Sequence, residues 1–197
     1  MQKKDSESGR EDLTWEEVST EHIVQDEWID FRRSAYRLPD GNVFEPFYSF
    51  SRRDYVVIVA LDCDGNYLCV RQFRHGIREI TTEFPAGGLE RSDGKASPSE
   101  DALDAAKREL LEETGYSSCE WTHLITLPSC ATIADNYAYV YMAKNCRRVG
   151  RQDLDETEFL NVELHTEQEM EELIHTGSFQ QAVHVMAWLL AKEKRSD

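Results

Sequence analysis

A chain of 197 residues with 22 Lys and Arg against 38 Asp and Glu carries a formal net charge of −16 at pH 7. This length suits one domain of ordinary size, with or without a small extension, and is enough to bury a core. The charge argues against nucleic acid or an anionic membrane as the principal partner, because both require a basic surface. The local cluster of Arg71, Arg74 and Arg78 is suited to a phosphorylated small molecule.

The cysteines and the first residues bear on the cellular compartment. Five cysteines, with no CxxC or Cys/His zinc spacing, favour reduced and unpaired thiols. Residues 1–12 are polar and charged, lack the apolar segment of a signal peptide, and are expected to form a disordered tail. No later stretch reaches the roughly 20 apolar residues of a membrane span. We therefore expect a cytoplasmic protein.

The N-terminal region, residues 13–52, is rich in aromatic and β-branched residues. This composition predicts a small antiparallel sheet, as a hairpin or as three strands. Pro39-Asp40-Gly41-Asn42 supplies a turn, because Pro fixes φ and Gly or Asn accepts positive φ.

The main domain, residues 53–193, mixes strands and helices without strict βαβ alternation. The apolar run Tyr55–Leu61 predicts a strand buried on both faces, which a turn at 62–66 pairs with Tyr67–Phe73. Further strands are predicted at 79–84, 120–127, 137–143 and 159–164, and helices at 166–175, opened by a capping box, and at 179–192. The pattern predicts a mixed α/β or α+β layer structure, not a doubly wound parallel sheet.

A further helix is predicted with Ser97 as its N-cap, Pro98 in the first position and Gly115 as its stop. It carries three carboxylates at i, i+3 and i+4, namely Glu109, Glu112 and Glu113. Their side chains lie within about 100° of arc, and such repulsion destabilises a helix. Divalent cations would explain the cluster, since Mg²⁺ takes a few carboxylates and leaves its other positions to water and phosphate. A solvated acidic helix face is the alternative.

The residues around this helix resemble the signature of the Nudix hydrolases: Gly, five residues, Glu, seven residues, Arg-Glu, an aliphatic, any residue, Glu-Glu, any residue, Gly and an aliphatic. The positions that satisfy it are Gly94, Glu100, Arg108, Glu109, Leu110, Glu112, Glu113 and Gly115, with Tyr116 in the last place. The resemblance implies an α/β/α sandwich with a mixed sheet. It also implies two or three bound Mg²⁺ or Mn²⁺ ions and cleavage of a nucleoside diphosphate linked to another group.

Three further segments, 70–74, 83–88 and 155–159, resemble the branch of ADP-ribose pyrophosphatases and related nucleotide-sugar hydrolases. The resemblance implies a homodimer, in which the sheet of residues 13–52 packs against the partner subunit and the active site borrows residues across the interface.

Two features depart from the pattern of this branch. Gly87 lies thirteen residues before Glu100, so Gly87 or Gly88 is expected to shape the metal-binding turn, with residues 90–98 as an inserted loop; Gly94 is the alternative. Residues 128–131 read Pro-Ser-Cys-Ala where many ADP-ribose enzymes have Ser-Pro-Gly, which leaves the identity of the sugar open.

The metal ligands that the resemblance implies are the backbone carbonyl of Ala86 and three carboxylates, Glu109, Glu112 and Glu113, of which Glu112 is also counted as catalytic. Glu100 and Arg108 resemble mutual orienting partners, and capping of the helix explains Glu100 about as well. The general base should be a carboxylate able to move toward the attacking water. Glu156 and Glu158, in the acidic loop at 151–158, are the candidates, and an ordinary solvated charge run is the alternative.

Substrate contacts are predicted from residue chemistry and position. Arg74 is expected to grip the diphosphate, because a guanidinium group matches phosphate geometry with two parallel bonds; a surface arginine is the alternative. Arg71 and Glu83 are further candidates. Trp28 could stack on a nucleobase, and a core aromatic is at least as good an interpretation.

The sequence thus predicts Mg²⁺-dependent hydrolysis of the diphosphate linkage of ADP-ribose or a related nucleoside diphosphate sugar, which gives AMP and a sugar phosphate. The alternatives are another nucleotide pyrophosphatase, acting on dinucleoside polyphosphates or nucleoside triphosphates, and a non-catalytic module that senses ADP-ribose. Intact Arg-Glu and Glu-Glu positions argue against the sensor.

Overall fold

The structure, a computed structural model, describes residues 12–90 and 100–196 of the chain. These residues fall into two compact units. The first unit comprises the described residues within Met1–Arg52 and Cys130–Asp135, and the second comprises those within Arg53–Ser129 and Asn136–Asp197. The predicted disordered tail, apart from its last residue, and the predicted inserted loop, apart from its first, lie outside the described residues.

The first unit contains the predicted small antiparallel sheet. Its three strands follow the order β1-β2-β3, with β1 at Glu16–Gln25, β2 at Asp30–Arg37 and β3 at Val43–Ser51. Gly41, in the turn between β2 and β3, has a φ of +88°, as the turn chemistry predicts. The segment Cys130–Asp135 joins this unit through a 2.8 Å hydrogen bond from Phe50 N to Ile133 O. No local pattern predicts a contact between segments so far apart in sequence.

The second unit contains an eight-stranded mixed sheet and three helices. The strands are β4 Tyr55–Asp62, β5 Tyr67–Arg74, β6 Glu79–Glu83, β7 Ala86–Gly88, β8 Tyr116–Ser117, β9 Glu120–Pro128, β10 Tyr137–Arg148 and β11 Leu160–His165. The helices are α1 Ala102–Thr114, α2 Glu167–His175 and α3 Ala182–Ser196. Only β4 and β10 pair in parallel among these strands, all of which are described. The short strands β7 and β8 were not predicted, because two or three residues show no period.

Strand β4 lies at the centre of the fold because both of its faces are apolar. Val57 and Val59 pack in a cluster with residues of α2 and α3, including Met170 and Trp188. Val56, Ile58 and Ala60 pack in a second cluster with α1 residues such as Ala105 and Leu110. Helices on both faces of a mixed sheet make the α/β/α arrangement, so the predicted fold class is confirmed.

The helix ends show which local patterns were reliable. Thr166 and Glu169 form the predicted capping box of α2, and Gly115 ends α1 with a φ of +73°. The predicted start of α1 is wrong: Asp101 is the N-cap, and its carboxylate accepts a 2.9 Å hydrogen bond from Leu103 N. Asp is as good an N-cap as Ser, and it stands closer to the first buried turn. Ser97 lies outside the described residues.

All five cysteines lie in the described part of the chain and are free thiols, with Cys69 and Cys146 buried and the other three exposed. Of the helices that the structure describes, none combines the length and the apolar character needed to cross a membrane.

Candidate active site

Helix α1 places its three predicted carboxylates in two different environments. Glu109 and Glu113 are four residues apart and lie on the buried face, where they are 7% and 2% exposed. The side chain of Glu112 is 38% exposed. Two of the three are therefore enclosed by the protein, so the solvated acidic face is excluded for Glu109 and Glu113.

Residues 85–88, which comprise Pro85 and strand β7 and are called here the turn, enclose these two carboxylates. Ala86 N donates a 2.9 Å hydrogen bond to Oε2 of Glu113. A Cβ atom at Gly87 would lie 1.9 Å from Cδ of Glu109, so the backbone of the turn packs directly on that carboxylate. Any larger residue at this position would have to displace the carboxylate of Glu109. This contact favours Gly87 as the residue that shapes the turn; Gly94, the alternative, lies outside the described residues.

Arg108 ties the turn and the helix together. Its guanidinium donates two 3.1 Å hydrogen bonds to Glu100 and one of 3.1 Å to the carbonyl of Gly88. It also pairs with Glu109 at 2.8 Å and with Glu112 at 2.9 Å. Burial opposes the charge of Arg108, but these carboxylates raise its pKa. The structure thus pairs Glu100 with Arg108, as expected of two residues that orient each other. Glu100 does not cap the helix, because Asp101 is its N-cap.

Burial makes the enclosed carboxylates costly to ionise. It raises the pKa of Glu109 to about 7, against the opposing charge of Arg108 and with a contribution from Glu158. It raises the pKa of Glu113 well above its ordinary value, against the hydrogen bond from Ala86, and Glu158 again adds to the rise. Two such groups on one helix face are unfavourable unless a positive charge joins them.

The donor set fits a hard divalent cation. Carboxylate and backbone carbonyl oxygens are the ligands that Mg²⁺ prefers, and Gly87 leaves the backbone close to Glu109. Within residues 12–90 and 100–196, however, no three His, Cys, Asp or Glu side chains converge on one point. In this structure Glu112 points to Arg108, and one oxygen of Glu113 accepts from Ala86 N.

Arg74 and Glu83 form a second charged pair at the ends of β5 and β6. Nε and Nη2 of Arg74 donate to the two carboxylate oxygens of Glu83 at 2.8 Å and 2.5 Å, and the Thr81 hydroxyl also donates to Glu83. Burial opposes ionisation of Glu83, but these bonds hold its pKa below the ordinary value. Glu83 is fully buried and orients Arg74, whose side chain is 37% exposed. Arg71 projects from the opposite face of β5, since successive strand residues alternate.

The acidic loop brings only one of its two candidate bases toward α1. Glu158 is half-buried, and its carboxylate accepts a 3.1 Å hydrogen bond from Asp155 N. Its charge acts on Glu109 and Glu113, as described above, and also on Arg74. Glu156 is exposed at the tip of the turn. The geometry therefore favours Glu158.

Trp28 lies in the first unit, whereas the carboxylates of α1 lie in the second. It is 67% exposed and lies in the turn between β1 and β2, where its backbone N–H donates a 2.8 Å hydrogen bond to the carboxylate of Asp26. Its exposure excludes the core interpretation within this unit and leaves the binding role as a prediction.

Sequence reasoning missed several residues that support the site. His184 is buried, its Nδ1 accepts a 3.1 Å hydrogen bond from Phe84 N, and burial lowers its pKa to about 4. Gln152 donates a 2.7 Å hydrogen bond to the backbone carbonyl of Glu113. Thr81 holds Glu83, as above. None belongs to a motif, and His184 and Gln152 act through contacts between segments that are distant in sequence.

A family profile described as the NUDIX domain matches residues 51–189, which include the turn, α1 and the acidic loop. The chain belongs to the Nudix family. A crystal structure titled ADP compounds hydrolase aligns with a TM-score of 0.79 at 20% identity, over 93% of this chain and 96% of that one. This likeness supports the Nudix fold.

Curated relatives carry two names. A protein from Mycobacterium tuberculosis (strain ATCC 25618 / H37Rv) named ADP-ribose pyrophosphatase is 32% identical over 139 residues, which are 70% of this chain and 63% of the relative, less than two thirds of its length. Two further relatives are each 28% identical over 152 residues, 74% of this chain and 75% of the relative. They are an ADP-ribose pyrophosphatase from Bacillus subtilis (strain 168) and a methanol dehydrogenase activator from Bacillus methanolicus.

Proposed function

We propose that this Nudix protein hydrolyses the diphosphate linkage of ADP-ribose or a related nucleoside diphosphate sugar and releases AMP, or the corresponding nucleoside monophosphate, and a sugar phosphate. The observation that carries the proposal is the buried pair Glu109 and Glu113, enclosed by the turn at Gly87. A protein gains nothing in stability from two enclosed carboxylates, so a function is the better explanation. The names of two relatives support the choice of substrate.

Glu109, Glu112, Glu113 and the carbonyl of Ala86 would hold two or three Mg²⁺ or Mn²⁺ ions. Bound divalent cations neutralise phosphate charge and lower the pKa of water to near neutrality. The chain itself supplies the walls of this site. Arg108 keeps Glu109 and Glu112 oriented through its hydrogen bonds to both.

Two residues outside α1 act on the substrate and the water. Glu83 aligns Arg74, whose guanidinium group presents to the diphosphate the edge that Glu83 does not occupy. The positive charge of Arg74 offsets the negative charge of the diphosphate. Glu158 accepts the proton of the attacking water at its carboxylate, as a general base worth about 10²–10⁴ in rate. The charge of Glu158 contributes to the raised pKa of Arg74, which supports roles for both residues in one site.

The first unit supplies the surface for a homodimer. Its sheet exposes many large apolar side chains, more than a free surface of this size usually carries. They are Leu13, Trp15, Val18, Ile23, Val24, Trp28, Val43, Phe44, Phe47 and Tyr48. A second copy that buries this sheet would remove them from water, with Trp28 available to a nucleobase. Light scattering of the purified chain tests this proposal, and a monomer at micromolar concentration would contradict it. The five free thiols support a cytoplasmic location for this dimer.

A substrate panel tests the reaction. Purified protein with Mg²⁺ is incubated with ADP-ribose, other nucleotide sugars, dinucleoside polyphosphates and nucleoside triphosphates, and the products are separated by chromatography. We expect AMP and ribose 5-phosphate from ADP-ribose. Cleavage of triphosphates alone would contradict the proposal. Tight binding of ADP-ribose without turnover, measured by calorimetry, would identify the non-catalytic sensor instead.

A further inference from the structure

One short stretch of the chain, residues 149–153, donates hydrogen bonds to backbone carbonyls at the C-terminal end of α1. It is called here the capping segment. The backbone N–H groups of Val149 and Gly150 donate to the carbonyl of Gly115 at 2.9 Å and 3.1 Å. The N–H of Asp153 donates to the carbonyl of Glu112 at 2.9 Å. The last carbonyls of a helix have no partner within the helix, so these bonds replace water.

A side chain completes the cap. Nε2 of Gln152 donates a 2.7 Å hydrogen bond to the carbonyl of Glu113. The last turn of α1 contains no basic residue, although Lys and Arg are favourable at that end. A cation there would offset the negative charge of the carboxylates nearby. The amide of Gln152 supplies a donor without a charge.

The approach of the capping segment to α1 is close. A Cβ atom at Gly115 would lie 2.6 Å from the carbonyl oxygen of Gly150, and Gly115 also has a φ of +73°. Glycine is therefore needed at this position both to end the helix and to admit the capping segment.

The capping segment leads directly into the turn Asp155–Glu158. Glu158 N bonds to the carbonyl of Asp155 at 2.9 Å, and Asp155 N bonds to the carboxylate of Glu158, so the turn is held at its own ends. Gln152 and Asp153 join this part of the chain to α1 through their hydrogen bonds to the carbonyls of Glu113 and Glu112. The place of Glu158 relative to Glu113 thus depends on the capping segment.

We propose that Gln152 is a positioning residue for the reaction: by holding the capping segment on the carbonyl of Glu113, it sets the distance between Glu158 and the carboxylates of α1. This inference rests on the proposed function, because it assigns Glu158 as the general base. Three backbone hydrogen bonds keep the capping segment on α1 when the Gln152 bond is lost, so the stability should change little. Catalytic groups lose efficiency steeply when displaced by about 1 Å, so the same loss should affect the rate more.

Two substitutions remove the donor. Gln152→Ala deletes the amide, and Gln152→Glu keeps its shape but offers only acceptors at neutral pH. For both we expect kcat for ADP-ribose to fall about tenfold, with KM changed less than about twofold. Gln180→Ala is the matched control, because Gln180 also donates one side-chain hydrogen bond, to Glu79 at 2.8 Å. It should retain the wild-type kcat. Circular dichroism and melting temperature check that all three variants fold.

The Glu158→Gln background separates positioning from a general loss of structure. If Gln152 acts through Glu158, Gln152→Ala lowers kcat in the wild type and leaves the residual rate of Glu158→Gln unchanged. An equal loss in both backgrounds, or no loss in either, overturns the inference. If Glu158→Gln itself keeps full activity, the assignment of the base in the proposed function fails. If Glu158→Gln is impaired and both Gln152 variants are normal, only the positioning role fails.

Discussion

Two acidic segments of the second unit, the end of α1 and the loop at 151–158, have similar compositions and different surroundings. On α1, Glu109 and Glu113 are enclosed by the turn at residues 85–88, and burial raises the pKa of both. In the loop, Glu156 is exposed, whereas the carboxylate-bearing residue Glu158 is half-buried and its charge acts on Glu109 and Glu113. A run of carboxylates becomes a candidate catalytic site where other parts of the chain remove it from water. The following experiments test that distinction.

Replacing a buried carboxylate should have the largest effect. Glu113→Gln keeps the shape of the side chain and removes the charge, so we expect kcat/KM for ADP-ribose to fall by about 10³-fold or more. The melting temperature should stay unchanged or rise, since a buried charge is lost. Steady-state kinetics and calorimetry measure the two quantities. Glu193→Gln, on an exposed position of α3, is the control. Wild-type activity in Glu113→Gln would refute the metal-ligand assignment.

The loop should respond at one position only. Glu158→Gln removes the proposed base and should lower kcat by about 10²–10⁴. Glu156→Gln changes an exposed residue two positions away and should lower kcat by less than about twofold. Product formation by chromatography compares the variants. Should Glu156→Gln be the more damaged of the two, the assignment of the base must be reversed.

The turn offers a matched pair of glycines. In Gly87→Ala the new Cβ would lie 1.9 Å from Cδ of Glu109 and must displace it, so we expect a loss of about 10²-fold in kcat/KM. In Gly88→Ala the nearest atom is Cδ of Arg53 at 3.7 Å, an ordinary contact, and activity should change little. Equal kinetics for both variants would mean that the close contact at Gly87 has no part in the reaction.

The buried imidazole of His184 should make the stability of the fold depend on pH. His184 is neutral in the folded protein because burial lowers its pKa to about 4, whereas the unfolded chain takes up a proton near the ordinary pKa of about 6.5. Its contribution to stability is therefore complete above that value and is lost as the pH falls toward 4. Glu83 and Arg74 are the charged groups that act on it.

We expect the free energy of unfolding of the wild type, relative to His184→Asn, to fall by about 2 kcal/mol between about pH 7.5 and about pH 5. Asn can keep an acceptor for Phe84 N. Glu109 and Glu113, whose raised pKa values make stability change with pH in the opposite direction, are present in both proteins, so their effect cancels in the difference between wild type and variant. Urea titrations at the two pH values measure it. A difference that does not change with pH would show that His184 is not the source.

The local patterns that sequence analysis used were reliable where both partners of an interaction are near in the chain. The capping box of Thr166 and Glu169 and the stop at Gly115 are present, and the Tyr55–Leu61 run is the central buried strand. The predicted start of α1 was wrong because Ser97 and Asp101, four residues apart, both suit an N-cap. Local preference alone does not choose between them.

The candidate site likewise has features that follow from nearby residues in the sequence and features that depend on contacts between distant segments. The spacing of carboxylates on α1 was readable from sequence, whereas the pairing of Glu100 with Arg108 was implied by the family resemblance, with helix capping by Glu100 as the alternative. The burial of Glu109 depends on Gly87, which lies in a different segment, and the choice between Glu156 and Glu158 depends on how the loop is held on α1.

The sequence by itself determined the mixed α/β class and the helix that carries the carboxylates, because these follow from periodicity and from residues at fixed spacing. Its signature motif implied the Nudix family and, through that resemblance, the α/β/α order of the layers. Only the tertiary structure decided which carboxylates are enclosed, that Glu83 orients Arg74 instead of facing solvent, and that Gln152 joins the loop to α1. Each of these depends on contacts between segments far apart in the chain, and burial and hydrogen bonding at such contacts are set only when the fold is complete.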